Sequence, residues 1–167
     1  MRLNFSHTCP SLRQTMRFEE LFESGLQLSQ EERINLNERC LDSSAWLYVD
    51  GCLAGEQVLV NATDFAPEGV DPWDLPEIIK TAKRRLHTAY VYSTALFPEF
   101  RGMGIGLILS TYVLGHLRGY GHYRLLTGHA TTSGMCAIRN KLGAVCSPTH
   151  EDWFGSGRKA EYYVITI

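Results

Sequence analysis

The run Arg101-Gly102-Met103-Gly104-Ile105-Gly106 has residue types and spacing suited to holding an anion. Three glycines alternate with apolar residues behind an arginine. A backbone without Cβ atoms can turn its N–H groups inward around an anion. The apolar residues that follow, Ile105 to Leu117, predict a long helix whose positive end points at the same place. Such a loop holds phosphate. A dinucleotide loop needs G-x-G-x-x-G and an acidic residue about 20 positions on, but position 107 here is leucine. A triphosphate loop needs G-x-x-x-x-G-K-[ST], and no lysine follows these glycines. The pattern that remains is Arg/Gln-x-x-Gly-x-Gly/Ala, filled by Arg101, Gly104 and Gly106. The plain alternative is a glycine-rich turn that binds nothing.

The elements around the loop follow from periodicity. Residues 2 to 6 form a short strand. Leu12, Met16, Leu21 and Phe22 predict a helix over 11–24 stopped at Gly25. Ser29 with Glu32 makes a capping box for a helix running to about Leu41. Ala45–Val49 and Cys52–Val60 read as strands joined by an Asp50-Gly51 turn. Four landmarks, Pro67, Gly69, Pro72 and Pro76, mark an irregular loop, and a helix is expected from Leu75 to Leu86. The stretch 89–97 is rich in β-formers and ends at Pro98. The helix after the loop should end at Gly119. Further expectations are a strand over 123–127, a helix from Thr132 or Ser133 through Leu142, and a strand over 161–167. A helical crossover between the strands at 89–97 and 123–127 makes that pair parallel within a mixed sheet.

Bulk properties narrow the classes. A chain of 167 residues, 44% hydrophobic and 20% charged, fits one globular domain with a real core. The net charge of −2 gives no basis for expecting nucleic acid as a partner. Lys83-Arg84-Arg85 reads as a solvated helix face. Cys9, Cys40, Cys52, Cys136 and Cys146 form no CxxC pair, so no metal and no disulfide framework is expected; reduced thiols suggest a cytoplasmic location. The first residues lack a signal-peptide pattern, and no apolar run approaches the ~20 residues of a membrane span.

The loop and its flanks, Leu96-Phe97-Pro98-Glu99-Phe100-Arg101-Gly102-Met103-Gly104-Ile105-Gly106, resemble V-x-P-x-[YF]-R-G-x-G-I-G, the acyl-CoA pyrophosphate loop of the GNAT superfamily of N-acetyltransferases. The order of elements is similar too, and Lys141-Leu142-Gly143-Ala144 resembles the Lys-Leu-Gly-Phe end of that superfamily's last helix. The resemblance covers most of 1–167 and is weakest over 61–87. It implies a single-domain α/β (α+β) fold: a mixed, mostly antiparallel sheet with a central parallel pair splayed around the acyl-CoA site, and helices on both faces. It implies acetyl-CoA as co-substrate, bound by Leu96, Phe97, Pro98, Arg101, Gly102, Met103, Gly104, Ile105 and Gly106, with Asn140 either near coenzyme A or facing solvent. Arg101 either adds charge or shapes the turn. The segment 61–87 would border the acceptor pocket, with Asp64, Glu68, Asp71, Trp73, Asp74 and Glu77 either suiting a cationic amine or forming a solvated loop.

Acetyl transfer to an amine needs a neutral nitrogen and a route for its proton. The superfamily often uses a glutamate on the loop strand and a tyrosine on the last helix. Here the strand carries Tyr90, Tyr92, Ser93 and Thr94, and Arg139 stands in the tyrosine's place. His129 is a candidate base, since imidazole titrates near neutrality; its plainer reading is a loop histidine bonded to backbone. Tyr92 is a candidate donor, pocket wall or core residue. The expected activity is acetyl transfer to a primary amine of a small molecule or protein, with a homodimer allowed and no membrane involved. The alternative is a GNAT-like chain that binds coenzyme A or a protein without transfer.

Overall fold

A computed structural model describes residues 1–62, 87–153 and 156–167, with 146–150 by backbone alone. The expected helix at 75–86, the basic cluster at 83–85 and the acidic stretch 64–77 lie outside these residues. Seven strands make one sheet: β1 (Leu3–Ser6), β2 (Ala45–Val49), β3 (Cys52–Asn61), β4 (Thr88–Leu96), β5 (Leu125–Ala130), β6 (Val145–His150) and β7 (Ala160–Thr166). Their order is β1-β2-β3-β4-β5-β7-β6. Only β4 and β5 run parallel; every other pair is antiparallel. The helical crossover that demanded a parallel pair is α3 (Ile105–Tyr120).

Helices cover both faces, each for a legible reason. The apolar stripe of α3 buries Ile105, Leu109, Val113 and Leu117 against Leu47, Leu59, Val91 and Leu126. Ser110 on α3 donates to Gln57 Oε1 on β3 at 2.9 Å, which fastens the helix to the sheet. On the opposite face Phe18 of α1 (Leu12–Glu19) and Leu36 of α2 (Gln30–Arg39) pack on Trp46, Val58 and Phe97. Burying one such side chain fully stabilises the fold by about 1.5–3 kcal/mol. The capping box of α2 forms: Ser29 Oγ accepts from Glu32 N–H at 3.3 Å, and Glu32 Oε2 accepts from Ser29 N–H at 2.7 Å. Thr132 caps α4 (Ser133–Lys141), its hydroxyl accepting from Met135 N–H at 3.2 Å.

Several elements differ from the sequence expectation, α2 among them, which stops at Arg39 rather than near Leu41. α1 stops at Glu19 rather than near Ser24; its last turn tightens through Leu21 N–H to Phe18 O and Phe22 N–H to Glu19 O, and a 3₁₀ turn follows at Ser24–Leu26. α3 runs past Gly119 to Tyr120 and is capped by Gly121 at φ 65°, where the left-handed conformation is met. β5 occupies Leu125–Ala130 instead of 123–127, so His129 lies in the strand and not after it. β6 has no counterpart in the sequence expectation; it is the sheet's edge, where Pro148 is tolerated, and its register breaks between Cys146 and Thr149.

Candidate functional site

The site is a cleft made by two strands that part. β4 and β5 pair only from Thr88↔Leu125 to Val91↔Gly128. At that point β4 bulges: Leu59 pairs with Val91 and Val58 with Ser93, leaving Tyr92 unopposed on β3. A bulge bends its strand and re-aims its side chains. From Ser93 to Leu96, β4 pairs only with β3, while His129 and Ala130 of β5 pair only with Tyr162 and Glu161 of β7. Two cavities open into the gap. A groove of about 430 Å³ runs beside Leu96, Arg101, Gly106 and Ile138. A second cavity, about 300 Å³, is walled by Tyr90, Tyr92, His129 and Arg139. Phe22, Leu26, Thr94, Thr131 and Met135 line both, so the two meet at one neck.

The glycine loop stands at the outer end of the groove. Pro98–Phe100 forms a 3₁₀ turn, and Gly102 and Gly104 take φ values of 76° and 75°. Gly104 is the N-cap of α3, its carbonyl accepting from Leu107 and Ile108 N–H. Among the described residues, the amides from Gly102 to Gly106 donate to no backbone acceptor, as expected at a helix N-terminus. They face the anion-favouring end of the α3 dipole, worth about 0.3–1 kcal/mol to a bound anion. A Cβ on Gly106 would lie 3.1 Å from Ile138 Cδ1 and 3.4 Å from Leu96 Cδ1. The floor of the groove is thus a backbone approach that a side chain would fill. These features fit a pyrophosphate at the loop and an extended arm along the unpaired edge of β4. Replacing Gly106 with valine is expected to cost the fold about 1–3 kcal/mol, as Ile138 and Leu96 give way, and to weaken acetyl-CoA binding by the folded protein at least about tenfold, roughly 1.4 kcal/mol; parallel thermal melts and calorimetric titrations of the two proteins check it.

The other loop residues divide by role. Arg101 Nε donates to Leu96 O at 3.0 Å, so its side chain shapes the turn and occupies that carbonyl. Phe97 N–H donates to Ala54 O, and its ring stacks on Phe18 at 4.6 Å, placing it in the core. Ile105 is buried, Met103 is 52% exposed and Pro98 is exposed. Asn140 faces the exposed side of α4 and lines neither cavity.

Within the inner cavity, Tyr90 OH and His129 Nδ1 lie 2.8 Å apart. The His129 ring stacks on Trp153 at 3.9 Å and meets the edge of Tyr162 at 5.0 Å. Burial raises the Tyr90 hydroxyl well above its usual range. Burial and then the Glu19 carboxylate push Tyr92 up to about 12. Both phenols therefore stay protonated at neutral pH. When Nδ1 donates to the Tyr90 oxygen, the imidazole lone pair lies on Nε2, the form that can take up a proton. The sequence had singled out Tyr92 and His129 but not Tyr90, whose pairing with His129 depends on the β4–β5 register.

A buried ion network fixes the cavity's opposite wall. Arg33 NH1 donates to Glu19 Oε1 at 2.8 Å and to Glu56 Oε1 at 3.0 Å; NH2 donates to Glu56 Oε2 at 2.6 Å. Ser93 Oγ and Trp46 Nε1 also donate to Glu56, at 2.9 and 3.3 Å. Glu19 Oε2 accepts from Leu28 N–H at 2.9 Å, which holds the turn between α1 and α2 against the cavity. Burial raises the Glu19 carboxyl despite the bonds from Leu28 and Arg33. Burial and the neighbouring Cys40 raise the Cys9 thiol to about 11, and burial also raises Cys40, so neither is a ready thiolate. No cluster of metal-ligating side chains occurs among the described residues, and none of their helices is long and apolar enough to cross a membrane.

No protein-family model matches the chain, and no curated protein matches it in sequence. Solved structures do match. The ribosomal-protein-S18-alanine N-acetyltransferase of Escherichia coli superposes with a TM-score of 0.71 at 16% identity, over 99% of this chain and 94% of that one. Ard1 from Thermoplasma volcanium gives 0.70 at 17% identity, over 99% and 97%. Arabidopsis thaliana Naa50, in complex with the bisubstrate analogue CoA-Ac-MVNAL, gives 0.66 at 13% identity, over 99% of both chains. At such identities the likeness speaks for architecture, and it agrees with the loop, the parted strands and the element order. The chain has the GNAT fold, the architecture of acyl-CoA-dependent N-acetyltransferases.

Proposed function

We propose that the chain transfers an acetyl group from acetyl-CoA to a primary amine by direct attack of the amine on the thioester. The observation that carries this reading is the continuity of the cleft. The glycine loop, the unpaired edge of β4 and the Tyr90–His129 pair lie along one path through the neck at Thr94. The loop amides and α3 suit the pyrophosphate. The β4 edge suits the amide-bearing arm, which adds to it as a strand would. His129 is the group suited to accept the amine's proton, with Tyr90 holding the ring. Holding amine and thioester together supplies much of the acceleration, because well-oriented pairs reach effective molarities of about 10⁵–10⁸ M. Tyr92 serves as a wall and hydrogen-bond donor. The segment 61–87 remains our candidate for the rest of the acceptor pocket within a single domain spanning 1–167, and a cytoplasmic setting suits this chemistry.

The test is a coenzyme A release screen with acetyl-CoA against polyamines, amino acids, aminoglycoside-like amines and peptides with free N-termini. Release above the hydrolysis background with at least one amine class is expected. A chain that binds acetyl-CoA but releases none with any of them would favour a binding role without transfer.

A further inference from the structure

Arg139 is a buried cation with unused donors. It is 0% exposed. Its NH2 donates to Thr94 Oγ1 at 3.3 Å, and its guanidinium lies over the Tyr163 ring at 4.7 Å. Among the described residues, Nε and NH1 have no hydrogen-bond partner and no carboxylate pairs with the guanidinium. A guanidinium keeps its charge inside proteins, and a buried charge without a counterion is costly. The Tyr163 face offsets part of that cost. Arg33, the other fully buried arginine among the described residues, shows the contrast: it is paired with two carboxylates.

The place of Arg139 narrows what its partner can be. Thr94 lies at the neck shared by the groove and the inner cavity, and Arg139 lines the inner cavity beside it. The titratable groups facing that cavity are Tyr90, Tyr92, Tyr163, His129, Glu19 and Glu32. Glu19 is engaged by Arg33 and Leu28 N–H, and Glu32 by Ser29 N–H. The cation therefore waits at the neck for a charge that arrives with the substrate.

We propose that Arg139 stabilises the negative charge that develops on the coenzyme A sulfur as the acyl group leaves. This rests on the acetyl-transfer reading above. The amine nitrogen forms its bond to the thioester carbonyl carbon, and the carbon–sulfur bond breaks. The electron pair of that bond goes to sulfur, giving a thiolate beside the guanidinium. The amine's proton passes to His129. Arg139 supplies a fixed charge at the leaving group and transfers no proton. Preorganised charge in a dry site is among the larger contributions an active site makes.

The test is a binding measurement that needs no acceptor. Calorimetric titrations compare coenzyme A with desulfo-coenzyme A at pH 6.5 and pH 9. Subtracting the desulfo compound cancels every protein group that titrates without touching sulfur. An ordinary thiol titrates near pH ~8.5, and a cation beside it favours the thiolate, so affinity for coenzyme A rises with pH. The preference for coenzyme A over its desulfo analogue should grow about tenfold across that range in the wild-type protein. It should be flat in Arg139→Met and partly kept in Arg139→Lys. A flat preference in the wild-type protein, or an equal rise in Arg139→Met, overturns the proposal. So does Arg139-dependent binding of succinyl-CoA tighter than acetyl-CoA by more than about tenfold, which would assign the cation to an acyl carboxylate. Failure of all these compounds to bind would instead remove the acyl-CoA reading itself.

Discussion

Arg33→Met should unfold at a much lower urea concentration than the wild-type protein, with a loss of about 3–5 kcal/mol and an unchanged slope. Its guanidinium is the only cation that meets Glu56 among the described residues, and both side chains are 0% exposed. Removing it strands one fully buried carboxylate and most of another. A domain of this kind has about 5–15 kcal/mol of total stability, so the loss is a large share of the whole. Arg33→Lys should recover little, because an ammonium cannot reproduce the fork that reaches both oxygens of Glu56 and one of Glu19. Adding Glu56→Leu to Arg33→Met should restore part of the loss, since an apolar pair leaves no buried charge at Glu56. A loss below about 1 kcal/mol in the single variant would mean that Glu56 finds another partner or takes up a proton. The network also has a functional reach. Through Glu19 and Leu28 N–H it holds the turn whose Phe22 and Leu26 line the groove as well as the inner cavity, so the variant should bind acetyl-CoA more weakly even where it remains folded.

The second large effect is chemical. With the best amine from the release screen, His129→Gln should lower kcat/KM by about 10²–10⁴-fold, the usual contribution of a general base. Acetyl-CoA affinity should be unchanged, because His129 lines the inner cavity and not the groove. The rise of the rate between about pH 6 and 8 should flatten, since imidazole is the group that loses a proton in that range. Tyr90→Phe should give a smaller loss of the same kind, by removing the hydroxyl 2.8 Å from Nδ1. An unchanged pH–rate profile in His129→Gln would take the histidine out of the proton path.

The reach of the sequence was uneven, for physical reasons. The glycine loop was legible because its chemistry is backbone chemistry: φ near 75° at Gly102 and Gly104 and a tight approach at Gly106 demand glycine at fixed spacing. The sheet's mixed character was legible because a helix between two strands forces a parallel pair. One local signal misled: Gly119 drew the end of α3 two residues too early, and the edge strand β6 carries no signal strong enough to read from sequence. The inner cavity was harder to read, because its parts meet through tertiary register. Tyr90 reaches His129 across 39 residues because β4 and β5 pair at Tyr90↔Thr127, and Tyr92 is re-aimed by a bulge with no sequence mark of its own. Likewise nothing in α4 announces that Arg139 is buried beside Thr94; its position near the helix end is plain in sequence, and its unused donors are visible only in three dimensions.

The proposed chemistry depends on the cleft accepting an acyl-CoA, and calorimetric titration of the wild-type protein with acetyl-CoA, beside Gly106→Val, asks that directly. Saturable one-to-one binding is expected, weakened at least about tenfold by the valine, with a thermal stabilisation of about 2.7 kcal/mol at a hundred times Kd. No heat and no thermal shift with millimolar acetyl-CoA, or equal affinity in the valine variant, would contradict it.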